Sequence, residues 1–343
     1  MRNGVIYGAT CASMSQHRTV RKQIDPGSSC VSRMDVRPFI WTSFIRWQSS
    51  VTHCQSRDTQ WPVVLHSASD ILVRIFDTTN GALLGCGFVW RRGLVVTSAH
   101  LFSGMPDAAD VLVQINSGQH IKAKLLARSD GAVDIAVVRV EDASGLTNVA
   151  KICLDKPRPG ESVACVAGAK HCKEIMYPIG TVVATNQQFH GMGNEADAFH
   201  FLQVGLITLP GMSGAPILNS NGEVVGMMQK RFNEYGLALH GRFVDAVAER
   251  IILGAAAVPA LGLTLKSRVE GCKHTGITVT GVAKGGLGCN AGIEIGDELL
   301  AVDGASCIDI TSLRTTLAES KRNVLSMIIR RSGCEKNINL DIA

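Results

Sequence analysis

A predominantly β fold is predicted by three features of the 343-residue sequence: two antiparallel barrels of about six strands each, then a small α+β module. Short apolar runs recur at close intervals from about Trp61, punctuated by turn residues such as Thr79-Asn80-Gly81 and Ser129-Asp130-Gly131. That spacing suits antiparallel barrels. Aromatic residues make up 5% of the chain while glycines number 35, which favours a fold of Val, Ile and Ala strands with many turns over a helical bundle. Third, the pattern breaks at Gly254, where Ala255-Ala256-Ala257-Val258-Pro259 reads as a linker into residues 255–343.

The elements follow in order. The first set of strands is expected at Ile71 to Phe76, Leu83 to Trp90, Leu94 to Ser98, Val111 to Ile115, Ile121 to Ala127 and Ile135 to Val140. Pro157-Arg158-Pro159-Gly160 separates it from a second set: Ser162 to Ala167, Ile175 to Thr185, His200 to Ile207, Ala215 to Leu218, Glu223 to Gln229 and Leu237 to Arg242. Asn219-Ser220-Asn221-Gly222 reads as a hairpin turn. Val244, Val247, Ala248, Ile251 and Ile252 have helical spacing and predict a closing helix that stops at Gly254. In the last module, Thr311 to Ser320 is expected as a helix carrying Leu313 and Leu317, with strands at Val324 to Arg330 and Lys336 to Ile342.

Charge is unevenly placed. The formal net charge of +5 resides entirely in residues 1–60, which hold eight Lys and Arg against Asp25, Asp35 and Asp58. The remainder is balanced, so it offers no basic face for nucleic acid. Residues 1–60 are Ser-rich, acid-poor and without strand or helix period, the composition of a mitochondrial transit peptide; a plastid leader, or a basic tail retained on a cytosolic chain, is the other reading. No stretch has the uninterrupted apolar length of a membrane helix. The eleven cysteines form no C-x-x-C pair, and scattered buried thiols in a reducing compartment are expected, with Cys165 and Cys172 the pair to check for a bridge.

Chemistry concentrates in three places. Leu209-Pro210-Gly211-Met212-Ser213-Gly214-Ala215-Pro216 surrounds one serine with small residues after a strand, and a serine hydroxyl becomes a nucleophile when a base takes its proton and N–H groups hold the oxyanion. Gly93 to His100 runs an apolar strand into a histidine, and Asp134 stands at the mouth of the strand Ile135 to Val140. His, Asp, Ser is one of the known chain orders for a triad on a double barrel. Asp130 competes with Asp134, but it sits in a Ser-Asp-Gly turn while Asp134 begins a strand. His171, His190, His200 and His240 carry no assigned role, with at most one lining a substrate cleft.

With Thr97-Ser98-Ala99-His100, Asp134-Ile135-Ala136-Val137 and Pro210-Gly211-Met212-Ser213-Gly214-Ala215-Pro216 together, the chain resembles the trypsin-like serine proteases, and more narrowly the HtrA/Deg family. Leu261-Gly262-Leu263 resembles the carboxylate-binding loop of a PDZ domain, and Ala291-Gly292 to Asp303-Gly304 looks like the PDZ signature around Gly296-Asp297. The resemblance implies a chymotrypsin-type double barrel over residues 61–254 and a PDZ domain over 255–343. It implies His100 as general base, Asp134 as its orienter, Ser213 as nucleophile, and the N–H groups of Gly211 and Ser213 as oxyanion donors. No metal or organic cofactor is called for.

Leu206, Ile207 and Thr208, just before the nucleophile, would wall an S1 pocket without an acid, suited to cleavage after small or medium aliphatic residues. Unfolded or damaged proteins would be the substrates, and C-terminal peptides the PDZ ligands. A homotrimer is implied too, usually built on an aromatic segment before the first strand, where this chain offers Trp61 and Pro62. Met212, Ala215, Leu209 and Gly205 depart from the family pattern. They motivate the alternative of a protease-fold scaffold or chaperone with weak or absent turnover, or an adaptor that chiefly binds protein C-termini.

Overall fold

The computed structural model describes residues 60–129, 133–188, 200–270 and 273–342. The basic extension before Gln60 lies outside the described residues, as do Asp130 and His190. The first barrel is built from β1 (Leu72–Asp77), β2 (Leu83–Arg91), β3 (Leu94–Thr97), β4 (Asp110–Gln114), β5 (His120–Arg128) and β6 (Ala136–Val140), closed in the order β1-β2-β3-β6-β5-β4. Alternation sets its inside. Along β5, Ile121, Ala123 and Leu125 turn into a core with Val73, Val89, Val113 and Val138, while the lysines between them face water.

The second barrel closes in the order β10-β11-β12-β9-β8-β7, from β7 (Ser162–Cys165), β8 (Ile179–Gln188), β9 (His200–Gly205), β10 (Pro216–Leu218), β11 (Val224–Phe232) and β12 (Tyr235–His240). The helix expected after it is α2 (Gly241–Ile252), preceded in the chain by α1 (Gln60–Ala68), and Gly254 follows α2 at φ +74°. The sequence pattern assigned no element to α1. Its Trp61, Leu65 and Ala68 are buried in the same cluster as Leu218, Val224 and Val247, so the chain's own core takes the aromatic residue before the first strand.

The last module is a sheet ordered β13-β14-β15-β17-β18, with the short β16 (Ala305–Ser306) on β15. Its strands are β13 (Leu263–Glu270), β14 (Lys273–Val282), β15 (Glu298–Val302), β17 (Val324–Arg331) and β18 (Cys334–Asp341). The one-turn helix α3 (Leu287–Asn290) and the longer α4 (Ile310–Glu319) complete it. The sequence pattern assigned no strand to β13, β14, β15 or β16. The helix expected at Thr311 to Ser320 is α4, and its Leu313 and Leu317 are buried in the cluster that holds Ile277, Val279 and Met327. Asp309 begins α4 with a capping box: its carboxylate accepts the Ser312 N–H at 2.7 Å, and the Ser312 hydroxyl accepts the Asp309 N–H at 3.2 Å.

The junction between module and barrels is polar at its rim and apolar inside. Arg242 on α2 grips Glu319 through two bonds of 2.5 and 2.8 Å, Arg250 donates to the Ser320 carbonyl at 3.1 Å, and Lys156 pairs with the buried Asp309 carboxylate. Ala318 of α4 is buried in the barrel cluster that holds Val244, Val247 and Ile251. No described helix is long and apolar enough to cross a membrane. Cys165 is a buried free thiol and Cys172 an exposed one, so the bridge proposed for checking between them does not exist.

Candidate active site

His100 lies in a 3-10 turn (Ala99–Phe102) directly after β3, and Asp134 precedes Ala136, the first residue of β6, which pairs with Thr97. Neighbouring strands thus deliver both side chains to one edge of the first barrel. Asp134 holds His100 twice: Oδ2 meets the ring Nδ1 at 2.6 Å, and Oδ1 accepts the backbone N–H at 2.8 Å. Such a pair fixes both the ring and the nitrogen that carries its proton. The chain beside Asp134 is pinned in turn. The Ser129 N–H donates to the Ile135 carbonyl at 2.9 Å and the Ile135 N–H to the Ser129 hydroxyl at 3.1 Å. Asp130, the rival, lies outside the described residues.

Ser213 sits on a turn before β10, at the seam of the two barrels. The Cys86 N–H on β2 donates to the Ser213 carbonyl at 2.8 Å. Contact there is so close that a Cβ on Gly214, at φ +86°, would stand 2.0 Å from the Cys86 carbonyl oxygen, a space only a hydrogen can fill. Most of the turn's backbone is occupied. The Pro210 carbonyl accepts the Lys170 N–H at 2.8 Å, the Met212 N–H donates to Leu209 at 3.2 Å, and the Gly214 N–H donates to Met228 at 2.7 Å. The N–H groups of Gly211 and Ser213 have no partner among the described residues. These are the two that the sequence nominated as oxyanion donors.

The Ser213 hydroxyl donates to the Gln229 carbonyl at 3.0 Å. Gln229 lies at a register shift of β11 between Met228 and Lys230, and the bulge also lets its side-chain Oε1 accept the Ser98 hydroxyl at 3.2 Å. One residue therefore ties the segment before His100 to the serine. Sequence reasoning missed Gln229 and Cys86, because no local motif marks them, and it gave Ser98 no role of its own within the Thr97-Ser98-Ala99-His100 motif. Met212 is fully buried, and its sulfur accepts the Leu209 N–H at 3.1 Å, so the apolar substitution is absorbed by packing and one N–H···S contact.

Leu206, Ile207 and Thr208 line a cavity of about 360 Å³ with Leu209, Ile179 and Gly205. Leu206 and Thr208 are largely buried, whereas Ile207 is 66% exposed. Arg231, Asn233 and Glu234 line it too, so the absence of an acid holds for residues 206–208 and not for the whole cavity. A second cavity of about 220 Å³, lined in part by Lys156, His240, Arg242 and Thr315, belongs to the junction with the last module. His240 bonds the Thr185 carbonyl at 2.7 Å, and burial pushes its imidazole down to about 4, so it is a neutral structural group.

In the last module, Gly262 takes φ +68° between Leu261, whose carbonyl accepts the Gly288 N–H at 2.9 Å, and Leu263, the first residue of β13. The Gly262 carbonyl accepts the Ala283 N–H at 2.8 Å. Both carbonyls are thereby turned to the protein. β13 pairs with β14 on one side only and so forms a sheet edge.

Two family models match the chain: a trypsin-like peptidase domain over residues 85–227 and a PDZ domain over 278–331. Among curated proteins, the serine protease Do-like HtrA of Lactobacillus helveticus is 27% identical over 289 residues, covering 75% of this chain and 67% of the relative. The serine endoprotease DegS of Escherichia coli (strain K12) is 24% identical over 278 residues, 76% of each chain. A probable periplasmic DegP-like serine endoprotease of Halomonas elongata is 25% identical, and the match spans 56% of its length. Solved structures share the fold: an HtrA-type protease AlgW with tripeptide has TM-score 0.61 at 20% identity, covering 81% of this chain and 95% of that one. The serine endoprotease from Yersinia pestis has TM-score 0.54 at 22% identity, covering 82% and 96%.

Proposed function

Because this chain belongs to the HtrA/Deg family of trypsin-like serine endopeptidases with a C-terminal PDZ domain, we propose that it cleaves unfolded or damaged proteins through His100, Asp134 and Ser213. One observation carries the reading: among the described residues, the turn around Ser213 leaves only its Gly211 and Ser213 N–H groups unpaired, while Asp134 locks His100 at the edge of the first barrel. In the proposed reaction the Ser213 hydroxyl leaves the Gln229 carbonyl by rotation about Cα–Cβ and gives its proton to the free ring nitrogen of His100. Its oxygen attacks the peptide carbonyl, and the two N–H groups receive the developing oxyanion. His100 then protonates the leaving amine, and water releases the acyl group by the same steps in reverse.

The exposed Ile207 and the cavity beside it favour an aliphatic residue before the cut. Unfolded chains expose such segments, and folded ones hide them. The Gly262 loop and the β13 edge would take the C-terminus of a peptide by strand addition, its carboxylate on backbone amides. A homotrimer, which the family resemblance implies, would have to use surfaces other than Trp61, which is buried within its own chain. Import of the chain into mitochondria rests on the basic residues 1–60 alone. A tagged chain that kept its N-terminus and stayed in the cytosol would remove that part while leaving the protease reading intact.

The test is covalent labelling of Ser213 by a fluorophosphonate, with casein hydrolysis followed by mass spectrometry. Labelling lost in Ser213→Ala, and cuts after Val, Ala or Ile, are expected. An unlabelled, inactive wild type would leave the scaffold or adaptor reading. Dominant cuts after Lys or Arg would move the pocket elsewhere.

A further inference from the structure

We infer that Cys86 is a positioning residue for the oxyanion turn, its thiol clamping the Gly211 carbonyl from the opposite barrel so that the Gly211 and Ser213 N–H groups converge. The inference rests on the serine-protease reading above. Cys86 lies within β2 and is fully buried. Its Sγ stands 3.2 Å from the Gly211 carbonyl oxygen, 3.1 Å from the Gly168 nitrogen and 3.4 Å from the Gly168 carbonyl oxygen. A thiol has one proton and can accept weakly. The Gly168 N–H donates to the sulfur, and the S–H then points to the nearer carbonyl, that of Gly211. Burial pushes the thiol up to about 12, so it keeps the proton this bond needs at neutral pH.

The turn needs such a clamp because of its own composition. Gly211 sits at φ +97° and has no side chain to restrict it, so the freedom that admits this backbone also admits others. The peptide before Gly211 is held by Lys170 through the Pro210 carbonyl, and the Ser213 carbonyl by the Cys86 N–H. The Gly211 carbonyl has the thiol. Gly168 and Lys170 belong to one loop, so the sulfur joins a first-barrel strand, that loop and the turn at a single point. A cysteine that only filled space would need neither contact.

The full chain separates the two roles. Wild type, Cys86→Ala and Cys86→Ser are compared for kcat and KM on a peptide substrate and for affinity to a peptide boronic acid, whose Ser213 adduct mimics the tetrahedral intermediate. Loosening one oxyanion donor predicts a kcat about ten- to a hundredfold lower in Cys86→Ala, with KM within about twofold and boronate binding weakened in parallel. The Cys86→Ser hydroxyl donates and accepts as the thiol does, and should restore kcat to within about threefold. Should Cys86→Ala not fold, Cys86→Val fills the site without an S–H and is expected to show the same loss. Unchanged kcat in a folded Cys86→Ala, a loss confined to KM, or a loss that serine does not restore would overturn the inference. A wild type that neither cleaves nor takes the boronate would instead sink the protease reading, and this inference with it.

Discussion

At the scale of single residues, the site divides into groups that carry charge or protons and groups that hold them. His100→Ala, Asp134→Ala and Ser213→Ala are each expected to remove nearly all peptidase activity, and the triple variant to lose little more, because a triad acts as one unit. Steady-state kinetics on one peptide substrate checks this. Gly214→Ala should be as inactive as Ser213→Ala for another reason: its methyl would meet the Cys86 carbonyl, and the turn would have to leave the seam. Loss of fluorophosphonate labelling in a protein that still shows a folded circular dichroism spectrum would check that. The proposed triad could be nominated from the sequence because each member stands in its own short motif at a strand edge. Cys86 and Gln229 could not, since they lie on apolar strands and act on partners brought close only by folding; Cys86 and Gly211 are 125 residues apart.

At the scale of elements, the barrel strands could be read from alternating apolar residues, and α2 from its helical spacing. The exceptions have physical causes. α1 carries Pro62 in its first turn and is too short for its period to stand out from a strand. β13 and β14 mix Thr, Lys, Ser, Arg and Gly and bury few side chains, so a paired backbone holds the ribbon with little help from a hydrophobic face. In α4 the capping aspartate has a second duty. Burial alone would raise the Asp309 carboxyl, but Lys156 and the Ser312 N–H outweigh it and hold it below the ordinary carboxylate range. A carboxyl lowered by folding stabilises the native state above its unfolded value and loses that contribution as pH falls through the folded one. Asp309→Asn keeps a cap but not the pair with Lys156. Its stability deficit in urea titrations should therefore be full at pH 7 and shrink below about pH 4. Asp309→Ala removes the cap too, and should cost about 1 kcal/mol more. On the β13 side, Gly262→Val should abolish binding of apolar C-terminal peptides to the full chain, since φ +68° is strained for a β-branched residue. Calorimetry with free and amidated peptides measures it, and equal affinity for the two forms would rule out carboxylate capture.

At the scale of the whole molecule, two barrels and a sheet module are joined by helices rather than by a bare tether. Ala318→Asp places a charge among Val244, Val247 and Ile251 and should open that junction. Faster limited proteolysis between residues 254 and 262, with a single thermal transition splitting in two, is the expected result. The order of domains was legible from the linker at Gly254, but the junction was not, because its charged pairs join distant stretches such as Arg242 and Glu319. That junction also bears on how the chain is made. A ribosome delivers residues 241–252 well before residue 318, so during synthesis α2 must wait, with the surface meant for Ala318 uncovered, until α4 has emerged. A nascent chain halted in that interval would carry all three members of the proposed triad yet lack one piece of the barrel's packing, and would itself be the kind of incompletely folded protein the finished enzyme is proposed to cut.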